Sequence, residues 1–147
     1  MDMTDPIVKL CADGMAAEAE GRGADAKALF QQAWAESRDD FDACIAAHYA
    51  ARHQATPDDE LDWNRRALER ADLVGDDRVR SFYPSLYLNL AHSLEKLGRT
   101  GEACELYATA AARLDGQPES PYLQLVRSGI VAGQKRTCPV VGESHAE

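Results

Sequence analysis

Apolar residues recur along this chain at steps of three and four, separated by short polar or glycine-bearing breaks. Ile7, Leu10, Cys11, Gly14 and Ala17 share one face of a helix that Gly21-Arg22-Gly23 ends. A partner helix opens at Ala24 or Asp25 and carries Ala26, Leu29, Phe30, Ala33 and Trp34 until Ser37-Arg38-Asp39-Asp40 interrupts it. A second pair follows, running over 41–54 and then from Leu61 through Trp63, Ala67, Leu68 and Ala71, with Thr56 as helix N-cap and Pro57 at the first helical position. Phe82-Tyr83-Pro84-Ser85 opens a third pair, whose first helix carries Leu86, Leu90, Leu94 and Leu97 to a stop at Gly98 and whose second spans 101–114. Tyr122, Leu125, Val126 and Ile130 predict one more helix over 118–133, and the tail 134–147 is expected to be disordered.

The pairs repeat. Ala26-x3-Phe30-x2-Ala33 returns as Glu60-x3-Asn64-x2-Ala67 and again as Ala103-x3-Tyr107-x2-Ala110. The first interval is 34 residues and the second 43, so nine extra residues precede the third pair, where they are expected to lengthen the second helix of the second pair. Two amphipathic helices cannot bury their apolar faces alone, so units of this length stack into a helical solenoid with an exposed inner surface.

Composition narrows this picture. The 147 residues carry a formal charge of −9, which disfavours nonspecific attraction to nucleic acid or an anionic membrane and points to a basic or amphipathic protein partner. No apolar run approaches the ~20 residues of a membrane span, and acids at Asp2 and Asp5 stand where a secretory signal would be basic, so a cytoplasmic protein is expected. Cys11, Cys44, Cys104 and Cys138 form no C-x2-C pair and are expected as free thiols, mostly buried as small hydrophobes.

The cadence resembles the tetratricopeptide repeat family, whose first helix reads W-x2-L-G-x2-Y and whose second reads A-x3-F. The corresponding stretches are Leu10-x2-Asp13-Gly14-x2-Ala17, Cys44-x2-Ala47-His48-x2-Ala51 and Tyr87-x2-Leu90-Ala91-x2-Leu94. The family's closing proline is replaced by Arg38, Asp72 and Asp115. The chain also looks like small stand-alone bacterial proteins of this type. The resemblance implies an all-α, right-handed α-solenoid of three helix-turn-helix repeats at 7–38, 41–72 and 84–115, closed by a capping helix. It further implies protein recognition on the inner faces of the first helices. Transferring that pattern sets Val8, Cys11, Met15 and Glu18 beside Ile45, Tyr49, Arg52 and His53, with Leu88, Asn89, His92 and Glu95 on the third wall, as a groove apolar at one end and polar at the other. The lysine, arginine and asparagine set with which one subgroup grips chaperone tails is missing, so binding of such tails is not expected.

Chemistry beyond recognition has little support. His48 stands where Gly14 and Ala91 stand in the other repeats, at a close helix approach, and Asn64 stands where Phe30 and Tyr107 stand, so the pair reads as a volume-conserving exchange with a structural histidine. His53 and His92, with Glu95 or Glu18, are a weak candidate for a metal site, and no metal or other cofactor is expected. Gly21-x-Gly23 follows a helix and is a hairpin turn rather than a nucleotide loop, and no catalytic motif occurs, so the chain reads as a non-enzyme. Three roles remain: a peptide- or helix-binding module, a pocket sensing a small polar molecule or ion through Arg52, His53, Asn89 and His92, and self-association.

Overall fold

A computed structural model describes residues 4–139, and every regular element among them is helical. Seven α-helices follow one another: α1 (Pro6–Ala19), α2 (Gly23–Glu36), α3 (Asp40–Ala50), α4 (Pro57–Val74), α5 (Tyr83–Lys96), α6 (Thr100–Ala112) and α7 (Pro121–Thr137). The chain divides after Val79 into two compact units.

In the first unit α1 packs on α2 and on α3, and α3 packs in turn on α2 and α4. Side-chain caps start three of these helices: Asp5 accepts from the Ile7 amide, Asp39 from the Asp42 amide and Thr56 from the Asp59 amide. Helix α3 is the interior element, buried at Ala43, Cys44, Ile45, Ala46, Ala47 and Ala50, and its alanines let neighbouring backbones approach closely. Gly14 serves the same end against α2, since a Cβ there would stand within 2.8 Å of three Phe30 ring carbons. The expected helix over 41–54 is shorter than its apolar pattern implied, because after Ala50 the chain tightens into one 3-10 turn, Ala51–His53. The extra residues of the second pair divide in two: α4 has 18 residues against 14 in α2, Gly75 ends it at a φ of 65°, and a 3-10 segment, Asp77–Phe82, takes up the rest.

In the second unit α5 and α6 form a hairpin on which α7 lies, touching both. Two expectations fail here. Helix α7 runs on to Thr137, past the point where disorder was expected, because Gly133 seats on the Tyr107 ring, Thr137 is buried and Arg136 reaches Glu95; the rest of the expected tail, 140–147, lies outside the described residues. And Cys104 and Cys138 are not free thiols but a disulfide, with 5.1 Å between their Cα atoms, which ties the end of α7 to α6. Their separation of 34 residues conceals that adjacency. Cys11 and Cys44 are free and buried as expected, and burial pushes both thiols up to about 12. Among the described residues no helix is long and apolar enough to cross a membrane.

Candidate functional site

The first unit gathers four of the expected groove residues, Glu18, Tyr49, Arg52 and His53, around the turn that follows α3. Phe30, wholly buried from α2, stacks on Tyr49 at a centroid distance of 5.3 Å and on His53 at 5.8 Å. Above them, Glu18 Oε2 contacts His53 Nε2 at 2.6 Å and Arg52 Nε at 3.2 Å. The Arg52 guanidinium also lies over the Tyr49 ring at 5.7 Å. The 3-10 turn sets where these side chains point: at about 3.0 residues per turn it winds Arg52 and His53 further round the axis than an α-helix would, and both meet Glu18 of α1 there. Arg52 remains 48 % exposed while Glu18 is only 16 % exposed, so the acid works from below as an anchor and the guanidinium is presented outward. Met15, one turn before Glu18 on α1, is exposed.

The remaining expected residues are placed otherwise. Ile45 is 4 % exposed, and Val8 and Cys11 are buried as well, so these three belong to the core and line no open surface. Leu88 and Glu95, in the second unit, are engaged by α7. Leu88 packs against the cluster of Ala110, Val126 and Ile130 and faces Gly129. Glu95 accepts from the Tyr107 hydroxyl at 2.7 Å and from Arg136 Nε at 2.6 Å. The Arg136 hydrogen bond holds the Glu95 carboxyl below its usual range, while burial and then Glu95 push the Tyr107 phenol up to about 12. Asn89 is half-buried and His92 exposed on the same helix. The candidate metal ligands are thus split, with Glu18 and His53 in the first unit and His92 and Glu95 in the second. Among the described residues no cluster of three or more His, Cys, Asp or Glu is arranged to hold a metal ion.

His48 is partly buried and sits edge-on to Tyr49 at 5.2 Å. Burial, and secondarily the Arg52 charge, pushes its imidazole down to about 4. Asn64, the other half of the proposed exchange, is 3 % exposed. A histidine whose folded value lies below its unfolded one stabilises the fold while neutral. That contribution is fully present above the unfolded value of ~6.5 and is lost as pH falls toward about 4. Urea titrations of wild type and His48→Gln between pH 7.5 and 4.5 should therefore diverge, with wild type losing ~2 kcal/mol more than the variant across that window. Parallel curves would remove the buried neutral imidazole from the account.

One constellation escaped the sequence reading. Trp63, Arg66 and Arg70 lie at i, i+3 and i+7 on α4, and Trp34 of α2 meets Trp63 edge to face at 5.1 Å. Arg66 lies over Trp63 at 4.4 Å and Arg70 over Trp34 at 5.3 Å. The spacing was visible in the sequence, but only the packing of α2 and α4 on α3 brings the two tryptophans together. No protein-family profile, no curated protein and no solved structure matches this chain.

Proposed function

We propose that this protein is a non-catalytic recognition module whose helical hairpins stack as a solenoid in the manner of tetratricopeptide repeats, and that it takes a peptide or helix of a partner protein on the face built by α1, α3 and the turn 51–53. The observation that carries this reading is the state of Arg52. Its guanidinium is held by Glu18 and by the Tyr49 ring yet stays half exposed, and the apolar Met15, one turn before Glu18 on α1, is exposed as well. An oriented forked donor next to an apolar anchor is the combination that dominates binding energy at protein interfaces, because little side-chain freedom remains to be lost on association. The 34-residue cadence and the contacts of α1 with both α2 and α3 support the stacked architecture.

The test uses peptides selected from a display library against the wild-type protein. Tyr49→Ala/Arg52→Ala should lose at least ~10-fold in affinity for the selected peptides, equivalent to ~1.4 kcal/mol, and Met15→Lys should lose a similar factor. Far-UV circular dichroism checks that the variants fold. Equal binding by wild type and all well-folded variants would place recognition elsewhere.

A further inference from the structure

A second surface of the first unit has a chemistry of its own. Trp34 of α2 and Trp63 of α4 form the edge-to-face pair, and the Arg66 guanidinium lies within 4.4 Å of one ring centroid and 5.8 Å of the other. Arg66 is exposed, and among the described residues it has no carboxylate within ion-pair distance. Asp62 stands four residues earlier on the same helix, the spacing at which an ion pair ordinarily forms, but the guanidinium lies on the indole instead. Its neighbour Arg70 is committed to Asp40 at 3.0 Å. Next to this ladder, and sharing Trp34 and Arg70 with it, opens a cleft of about 530 Å³ lined by the apolar Trp34, Ala35 and Ala43 together with Arg38, Asp39 and Asp40.

We propose that this surface binds an acidic segment of a partner protein, with a glutamate or aspartate carboxylate forked onto Arg66 and an adjacent aliphatic side chain lying against Trp34 in the cleft. Three features select that occupant. A guanidinium held over an indole at 4.4 Å keeps its forked N–H donors for a carboxylate, and the contact removes part of its rotamer freedom beforehand. Arg38 and Arg70 already meet carboxylates of the chain, Arg38 at Asp42 and Arg70 at Asp40, so among the arginines of this surface Arg66 is the one whose guanidinium an incoming carboxylate can take. The lining acids Asp39 and Asp40 decide between anions. A continuous phosphodiester chain would run its charges past them at every nucleotide, whereas a peptide can put a neutral or basic residue there. The surface is separate from the Arg52 face, so it stands or falls independently of the function proposed above.

Trp34 and Trp63 are the two tryptophans of the chain, so intrinsic emission reports directly on this surface. The whole protein is titrated with acetyl-Glu-Glu-Leu-Glu-Glu-Leu-Glu-amide, with the same peptide bearing lysine for each glutamate, and with a heptathymidylate. The acidic peptide should change the emission saturably and the lysine peptide should not. Arg66→Gln should weaken the acidic peptide at least tenfold, and Arg66→Lys, which keeps the charge and loses the fork, should fall in between. Circular dichroism confirms that these exposed substitutions leave the fold intact. The proposal is overturned if the acidic peptide produces no saturable change, if Arg66→Gln binds it as wild type does, or if the heptathymidylate binds more tightly than the peptide.

Discussion

Gly133→Ala is expected to destabilise the second unit by ~3 kcal/mol, at the upper end of what overpacking a core usually costs. Alanine is ordinarily the better helix residue by ~1 kcal/mol, so the sign depends on what the new methyl meets. At this position the Cβ would stand within 2.7 Å of three carbons of the Tyr107 ring. The ring cannot retreat: it is wholly buried, and its hydroxyl is fastened to Glu95 at 2.7 Å. Gly129 supplies the contrast on the same helix. There a Cβ would meet only the flexible end of Leu88, at 3.2 Å and beyond, so Gly129→Ala should be neutral or stabilising by up to ~1 kcal/mol. Gly14→Ala repeats the costly case in the first unit, against the Phe30 ring held between Tyr49 and His53. Chemical denaturation of the three variants reads these effects directly. Combining Gly133→Ala with Tyr107→Leu should cost less than the two changes separately, because the smaller side chain yields the space that alanine needs. If Gly133→Ala and Gly129→Ala shifted stability equally, the close approach of α7 to Tyr107 would be refuted.

These close approaches also mark what could be read from the sequence. Gly14 opposite Phe30, and Asn64 in the place of an aromatic ring, follow from the repeated cadence because a hairpin of two helices brings the same two positions together each time. Helix existence and the Thr56 cap were legible for the same local reason. What lay beyond reach depended on how one element sits against another remote in the chain. Helical period places Leu88 and Glu95 on one helix, but does not show that α7 covers them. It assigns Ile45 to a face without showing that the face is enclosed. The fate of Arg52 and His53 turned on a single change from α to 3-10 geometry after Ala50, a shift for which the sequence 51–53 carries no glycine or proline signal. Trp63, Arg66 and Arg70 could have been noticed as a stripe of one helix, and Trp34 as its neighbour only once the hairpins were packed.

Reduction of the Cys104–Cys138 bond is expected to have the other large effect. The bond closes a loop of 34 residues, and removing such a cross-link returns ~3–4 kcal/mol of conformational freedom to the unfolded chain. Its loss falls on the second unit, because both cysteines lie there. Helix α7 does not depend on the bond alone. Leu123, Val126 and Ile130 are buried beneath it, and Arg136 is paired with Glu95 at 2.6 Å. The reduced protein should therefore still fold, with its melting temperature lowered by roughly 8 °C or more at the entropy of unfolding of a chain this size. Cys104→Ser/Cys138→Ser should melt where the reduced wild type melts and should not respond to a phosphine reductant. Cys11 and Cys44 do not confuse the measurement, since burial holds both thiols near 12 and leaves almost no thiolate to exchange or to react. A thiol reagent applied to the reduced, folded protein should accordingly modify two cysteines quickly and the other two only on unfolding. Four equally reactive thiols, or a melting temperature that the reductant leaves unchanged, would show that α6 and α7 are not covalently joined and that the end of α7 is held by packing and the Arg136–Glu95 pair alone.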